Sequence, residues 1–255
     1  MDIICTTSQK PTDSMIQSAI THSKYFKGEY IPRKRLGSLS ERECVLVVTK
    51  SSLNVYIKGQ KLAFHPSMAM LRVKRIKNGE LDIFNKILGD ITSWAVLDCT
   101  LGLASDSLVL SKLVSCKGQV TSLEKSKLIY KIVKDGLGKL DSSYPELSGL
   151  SKNITLKNVD FNNYIEGLNY GDFDLIYFDP MFDKPIENSP AISPLRDLAH
   201  YSPLSIKSLE KAKKLAKKAV IVKNNKNFPF EEIGLKKFTL PSSSVSYGIY
   251  LNKEE

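Results

Sequence analysis

The chain has 255 residues, 42% of them hydrophobic and 25% charged, with a net charge of +10, so it is long and apolar enough for one main domain with a small appendage, and disorder is not expected. No stretch approaches the ~20 apolar residues of a membrane span, and Met1-Asp2-Ile3-Ile4-Cys5 lacks the basic region and h-region of a signal peptide, so a cytoplasmic location is expected. Cys5, Cys44, Cys99 and Cys116 form no CxxC or CxxH pair and His22, His65 and His200 are isolated, so reduced, mostly buried thiols and no metal are expected, while the basic balance favours a polyanionic partner.

The first 65 residues read as a small α/β domain. An apolar strand at 3–5 and a Thr-Thr-Ser turn precede a helix over 13–26 capped by Thr12, in which Met15, Ile16, Ala19 and Ile20 recur at helical spacing, with Gly28 as its stop. The basic connector Arg33-Lys34-Arg35 follows. Two β-rich runs, 44–49 and 53–57, are joined by Lys50-Ser51-Ser52 as a hairpin, and a third lies near 62–64.

From residue 66 to 255 the pattern changes to alternating helices and strands. Pro66 opens a segment bearing Arg72, Lys74, Arg75 and Lys77, and short apolar runs follow at 95–97, 120–123, 154–156, 175–178, 220–222, 238–240 and 247–251. Runs buried on both faces and separated by helices predict a parallel, doubly wound α/β sheet. In the segment 206–219, Leu209, Ala212, Ala216 and Ala219 predict one apolar helical face, with Lys207, Lys211, Lys214 and Lys218 facing outward.

The first strand of this domain ends at Asp98 and runs through Cys99-Thr100-Leu101-Gly102-Leu103-Ala104-Ser105-Asp106 into an apolar helix at 108–114. A strand, glycine turn and helix present backbone N–H groups and a positive helix end to a ligand. Ala104 and Ser105 stand where GxGxxG needs glycines, which disfavours a pyrophosphate-bearing dinucleotide. The second strand ends at Glu124-Lys125, where an acid can accept from both hydroxyls of a ribose. Asp160, after the third strand, can accept from an adenine amino group. Asp98, Thr100, Gly102, Asp106, Glu124, Lys125 and Asp160 are therefore the expected contacts for a nucleoside without phosphates, such as S-adenosylmethionine (SAM).

The fourth strand leads to Asp179-Pro180-Met181-Phe182, close to the Asp/Asn-Pro-Pro-Tyr/Phe motif of enzymes that methylate planar exocyclic amines, with Met181 in place of the second proline. Such a nitrogen is a weak nucleophile because its lone pair is delocalised into the ring. The Asp179 carboxylate and Pro180 carbonyl can accept its N–H groups and stabilise the charge that develops, and Phe182 can stack on the base. A base within a helix must first be flipped out.

These residues resemble the RsmJ-like SAM-dependent methyltransferases, whose founding members modify guanine N2 in bacterial small-subunit ribosomal RNA. The matching stretches are Asp98 to Asp106, Leu123-Glu124, Asp135-Gly136-Leu137, Tyr177 to Phe182, Val222-Lys223 and Ile249-Tyr250, in the family's order across residues 65–251. The resemblance implies a class I, Rossmann-like seven-stranded, mostly parallel sheet with an antiparallel last hairpin, SAM held by Asp98, Gly102, Glu124 and Asp160, and the target amine received at Asp179. Two departures stand out. Ala104 replaces the loop's second Gly, and the segment 183–203 lacks the Lys-rich pattern expected after the motif.

Arg33, Lys34, Arg35, Arg72 and Arg75 are expected to grip RNA phosphates, with Met181 and Lys223 meeting the substrate. Ribosomal RNA or a ribosomal subunit is the expected partner. Three competing readings are an NAD-dependent oxidoreductase, opposed by the missing glycines, a non-catalytic RNA-binding or assembly protein on the same fold, and a methyltransferase of DNA or protein amines.

Overall fold

The structure is a computed structural model that describes residues 2–180, 204–241 and 243–252. It opens with β1 (Ile3–Thr7), α1 (Asp13–Phe26), β2 (Glu29–Tyr30), β3 (Cys44–Val48), β4 (Leu53–Ile57) and β5 (Gln60–Ala63). The strands form one sheet in the order β2-β1-β3-β4-β5, with β1 parallel to both neighbours and the rest antiparallel. Thr12 caps α1 by accepting the Met15 N–H. The helix stops at Lys27, in the left-handed conformation at φ 55, one residue before the expected Gly28. Gly28 is needed for another reason: a Cβ there would lie 2.0 Å from the Ile3 carbonyl oxygen.

Two helices, α2 (Ser67–Lys77) and α3 (Ile83–Leu88), lead to the second sheet. Its strands are β6 (Ala95–Asp98), β7 (Gln119–Leu123), β8 (Ile154–Lys157), β9 (Leu175–Phe178), β10 (Ala219–Asn225), β11 (Lys236–Thr239) and β12 (Val245–Leu251). They stand in the order β11-β12-β10-β9-β6-β7-β8, parallel from β10 to β8, with β12 antiparallel to β10 and β11. Between them run α4 (Ser105–Val114), α5 (Lys127–Gly138), α6 (Leu140–Ser143), α7 (Phe161–Glu166) and α8 (Ile206–Leu215). This is the expected mostly parallel seven-stranded arrangement. The chain winds outward from β6 through β7 to β8, then returns to β9 on the other side, so β6 and β9 flank the point where strand order reverses.

Alternation along β9 divides the core: Leu175 and Tyr177 join one apolar cluster, Ile176 and Phe178 the other. The first cluster continues through α5 to the small sheet. There Gly136 leaves room for Phe64, whose ring would lie 2.2 Å from an added Cβ, and Asp135 accepts the Leu53 N–H at 3.2 Å. The Asp135-Gly136-Leu137 stretch thus joins the two sheets.

The helix expected over 206–219 is shorter. Ala216 is already extended and Ala219 opens β10, where it pairs with Leu175. Leu209 and Ala212 are buried as expected, but so is Lys213, which donates to the Ile233 carbonyl and to Glu210. Cys5, Cys44, Cys99 and Cys116 are free thiols, the first three buried. Among the described residues no helix is long and apolar enough to cross a membrane.

Candidate active site

The carboxyl ends of β6, β7, β9 and β10 carry the site. Asp98, at the end of β6, is buried and accepts from the Thr100 N–H at 3.0 Å and the Ser107 hydroxyl at 2.5 Å, with Ser107 also 2.9 Å from Ser122. Its carboxylate therefore shapes the loop from within. Burial outweighs these hydrogen bonds and pushes its pKa up to about 7. The loop then turns through two left-handed residues, Gly102 at φ 50 and Ala104 at φ 63. Ala104 occupies a conformation that favours glycine, and its buried methyl group packs in the core.

Glu124, beyond β7, accepts the Ser126 N–H at 2.7 Å and lies in hydrogen-bond reach of the Gly102 amide, so the first loop and the second strand end meet at one carboxylate. Burial pushes it, too, up to about 7 against those amides. Asp160 caps α7 through the Asn162 N–H at 2.9 Å and pairs with Lys125 at 2.8 Å. Burial favours its neutral form, but Lys125 and the helix amide hold it below the ordinary carboxylate range.

The fourth strand end differs. Asp179 donates its N–H to the Thr100 hydroxyl at 2.6 Å, which fastens the Asp-Pro segment to the glycine loop. Its carboxylate meets the Lys223 ammonium at 2.7 Å. Lys223, within β10, also reaches Asp106 at 3.3 Å. Asp106, in the first turn of α4, further accepts from the Tyr177 hydroxyl at 2.8 Å and from the Arg72 guanidinium. Arg72 comes from α2, lies 5.4 Å from the centre of the Phe84 ring, and forks onto Asp82 at 2.8 and 2.9 Å. Burial opposes charge throughout this cluster, yet Lys223 and Arg72 hold Asp106 well below the usual range. The acids in turn hold both cations well above theirs.

Four of the expected site residues are engaged within the protein itself. Arg72 is not placed to grip phosphate, because its guanidinium is spent on two internal carboxylates. Lys223, expected to meet the substrate, instead bridges Asp106 and Asp179. Asp106 and Thr100, expected at the cofactor, have side chains that tie the loop to the cation cluster and to Asp179. Arg75, Lys34 and Arg35 are exposed, whereas Arg33 is half-buried and donates to the Gly37 carbonyl at 2.9 Å. Pro180 is half-buried, and Met181, Phe182 and 183–203 lie outside the described residues. Sequence reasoning missed Asp82, Ser107, Tyr177 and Tyr247. Tyr177 gave a signal, a polar ring within an otherwise apolar strand just before the motif; Asp82 gave only that of a helix cap.

Strand order, the loop after the first strand, acids on successive strand ends and an Asp-Pro after the fourth define a class I SAM-dependent methyltransferase. The family described as "Putative SAM-dependent methyltransferase" matches residues 30–252, and the chain belongs to it. Over 251 residues it is 36% identical to the protein YpiP of Bacillus subtilis, covering 96% of this chain and 97% of that one. It is also similar to ribosomal RNA small subunit methyltransferase J of Alteromonas mediterranea, 32% identical over 133 residues, 51% of this chain and 49% of that protein. With the enzyme of the same name from Nitrosococcus oceani it shares 30% identity over 160 residues, 61% of each chain. The matches thus span about half to three fifths of these two relatives. A SAM-dependent methyltransferase from Neisseria gonorrhoeae has the same fold, with a TM-score of 0.65 at 20% identity over 98% of this chain and 96% of that one.

Proposed function

We propose that this enzyme methylates an exocyclic amino group of a nucleobase in ribosomal RNA, with guanine N2 as the target, in the bacterial cytoplasm. The observation that carries the reading is Asp179: a carboxylate at the end of β9, held by Lys223 and bonded through its own N–H to the loop that follows β6. The similarity to ribosomal RNA small subunit methyltransferase J supports the polymer.

The residues suit SAM. Glu124 is a buried carboxylate bonded to neutral amides beside Gly102, and a ribose diol offers two further neutral donors to it. Asp98 and Thr100 keep the loop in shape for the cofactor, and Asp160 with Lys125 forms the rim toward the adenine. When bound, SAM supplies an electrophilic methyl group and leaves as S-adenosyl-L-homocysteine. Asp179 and the Pro180 carbonyl accept the N–H groups of the amine and turn its lone pair toward that methyl. As the N–C bond forms the nitrogen gains positive charge, and Asp179 takes the proton it releases. Met181 and Phe182 follow in the chain as the contacts for the base plane.

The small domain, residues 1–65, presents Arg33, Lys34 and Arg35 to RNA phosphates, and Arg75 on α2 is a further exposed cation for them. The deciding experiment gives labelled SAM to undermethylated ribosomal subunits and maps the product, with Asp179→Ala as control. Label on guanine N2 is expected with the wild type alone. Equal transfer by Asp179→Ala would overturn the mechanism, and label confined to DNA or protein would overturn the substrate.

A further inference from the structure

The reaction proposed above needs Asp179 as a carboxylate when the amine arrives, and the following inference rests on that reading. We propose that Lys223 is the positioning residue that keeps Asp179 ionised and aimed, and that Arg72, reaching Asp106 from α2, leaves Lys223 free to serve Asp179.

The register of the sheet places the pair. Val222 on β10 lies opposite Phe178 on β9, so the next residues in each strand direction, Lys223 and Asp179, stand side by side just where β9 ends, while β10 runs on to Asn225. Backbone pairing on both sides of β10, to β9 and to β12, leaves the lysine little room to drift. Its ammonium lies at 2.7 Å from Asp179 and at 3.3 Å from Asp106. The longer distance falls on the carboxylate that already has two other donors, the Tyr177 hydroxyl and the Arg72 guanidinium. Charges therefore alternate along the chain of contacts: Arg72, Asp106, Lys223, Asp179.

The groups that face Asp179 come from six elements: Lys223 from β10, Asp106 from α4, Arg72 from α2, Asp98 from β6, Tyr177 from β9 and Tyr247 from β12. Two of them are carboxyl groups and two are phenols whose ionisation burial suppresses, so Lys223 is the cation in contact with Asp179. Burial favours the neutral acid and Lys223 opposes it. Burial and the Asp106 carboxylate hold the Asp179 pKa above the ordinary carboxylate value even with Lys223 in contact, so loss of the lysine raises it further and favours the acid that donates where the amine also donates.

The test uses the full-length, SAM-free protein. Carboxyl carbons are titrated by NMR, with Asp179→Asn to assign the signal of Asp179, and the pKa is compared between wild type, Lys223→Met, Lys223→Arg and Arg72→Met. Lys223→Met is expected to raise the Asp179 pKa by about one unit or more, since a contacting opposite charge is worth about 1 to 3 units. Lys223→Arg should restore it, and Arg72→Met should raise it less than Lys223→Met does. A folded Lys223→Met protein whose Asp179 titrates within half that expected shift of the wild type overturns the proposal. If Lys223→Met does not fold, Lys223→Gln, which keeps a donor without the charge, is titrated under the same criterion. Where methyl transfer is measurable, the acid limb of its pH profile should move upward with the NMR value. Failure to find the nucleobase substrate leaves the titration to decide by itself.

Discussion

Two neighbouring halves of the site surround their carboxylates with different partners. At the ends of β6 and β7, Asp98 and Glu124 are satisfied by hydroxyl and amide donors, and burial lifts both to about 7. Asp179 at the end of β9 and Asp106 in the first turn of α4 share Lys223, and Asp106 is also met by Arg72; burial still raises Asp179, whereas the two cations hold Asp106 low. Neutral donors around a buried acid suit a ligand that is itself polar without opposite charge, such as a ribose. Fixed cations beside an acid suit a step in which a nitrogen becomes positive and then sheds a proton. On the proposed function, the division separates holding the cofactor from doing the chemistry.

The strongest way to break that division is Asp179→Ala. It should lower methyl transfer by about 10²- to 10⁴-fold, the usual worth of a positioned proton acceptor, while SAM affinity measured by calorimetry changes by less than about threefold. A collapse of SAM binding in this variant would show that the halves act as one. The converse is Glu124→Ala, which should weaken SAM about 10- to 100-fold, the cost of losing hydrogen bonds to a charged acceptor, with turnover at saturating SAM nearly intact.

Much of this was readable in the chain. Apolar runs bounded by helices marked the strands of the large sheet because both faces of each inner strand are buried, and the Asp-Pro after the fourth run marked the strand end that meets the glycine loop. What escaped was pairing across distance. Arg72 looked like a surface cation because its helix also carries exposed Lys74 and Arg75, and nothing local announces that one arginine of the three turns inward to Asp82 and Asp106. Lys223 could be placed at a strand end but not opposite Asp179, since that depends on the register of β10 against β9. The helix over 206–219 was drawn too long because alanines suit a helical face and a buried strand equally well.

A contrast between buried, paired cations and exposed ones also bears on the proposed RNA contacts. Lys34 and Arg35 are exposed and Arg33 is half-buried, so their joint replacement by serine should lower RNA affinity roughly tenfold to a hundredfold near 0.1 M salt. It should also reduce the slope of log affinity against log salt by about 0.7 to 0.9 for each phosphate lost. Filter binding across a salt series reads both. Arg72→Ser should leave that slope unchanged and instead destabilise the fold, because it strands Asp82 and Asp106 without their buried partner. An unchanged slope in the triple variant would remove the small domain from RNA recognition.

The smallest expected effect is also the most direct reading of the neutral half. The folded protein holds protons on Asp98 and Glu124 that the unfolded chain releases near 4, because their pKa values rise to about 7 on folding. Their contribution to stability is therefore fully present below about pH 4 and is lost as pH rises through about 7. Asp106, held low by its cations, works in the opposite sense: its contribution is present above about pH 4 and fades in acid. Melting temperature of the SAM-free protein should thus fall between about pH 5.5 and 8. A ribose diol donates to ionised Glu124 and not to its protonated form, so SAM affinity should rise over the same interval in step with ionisation. Glu124→Gln should flatten the rise in SAM affinity while leaving the part of the stability slope that belongs to Asp98. If affinity instead falls as pH rises, SAM meets the protonated acid, and Glu124 must be a donor in the complex rather than the acceptor its place at the end of β7 implies.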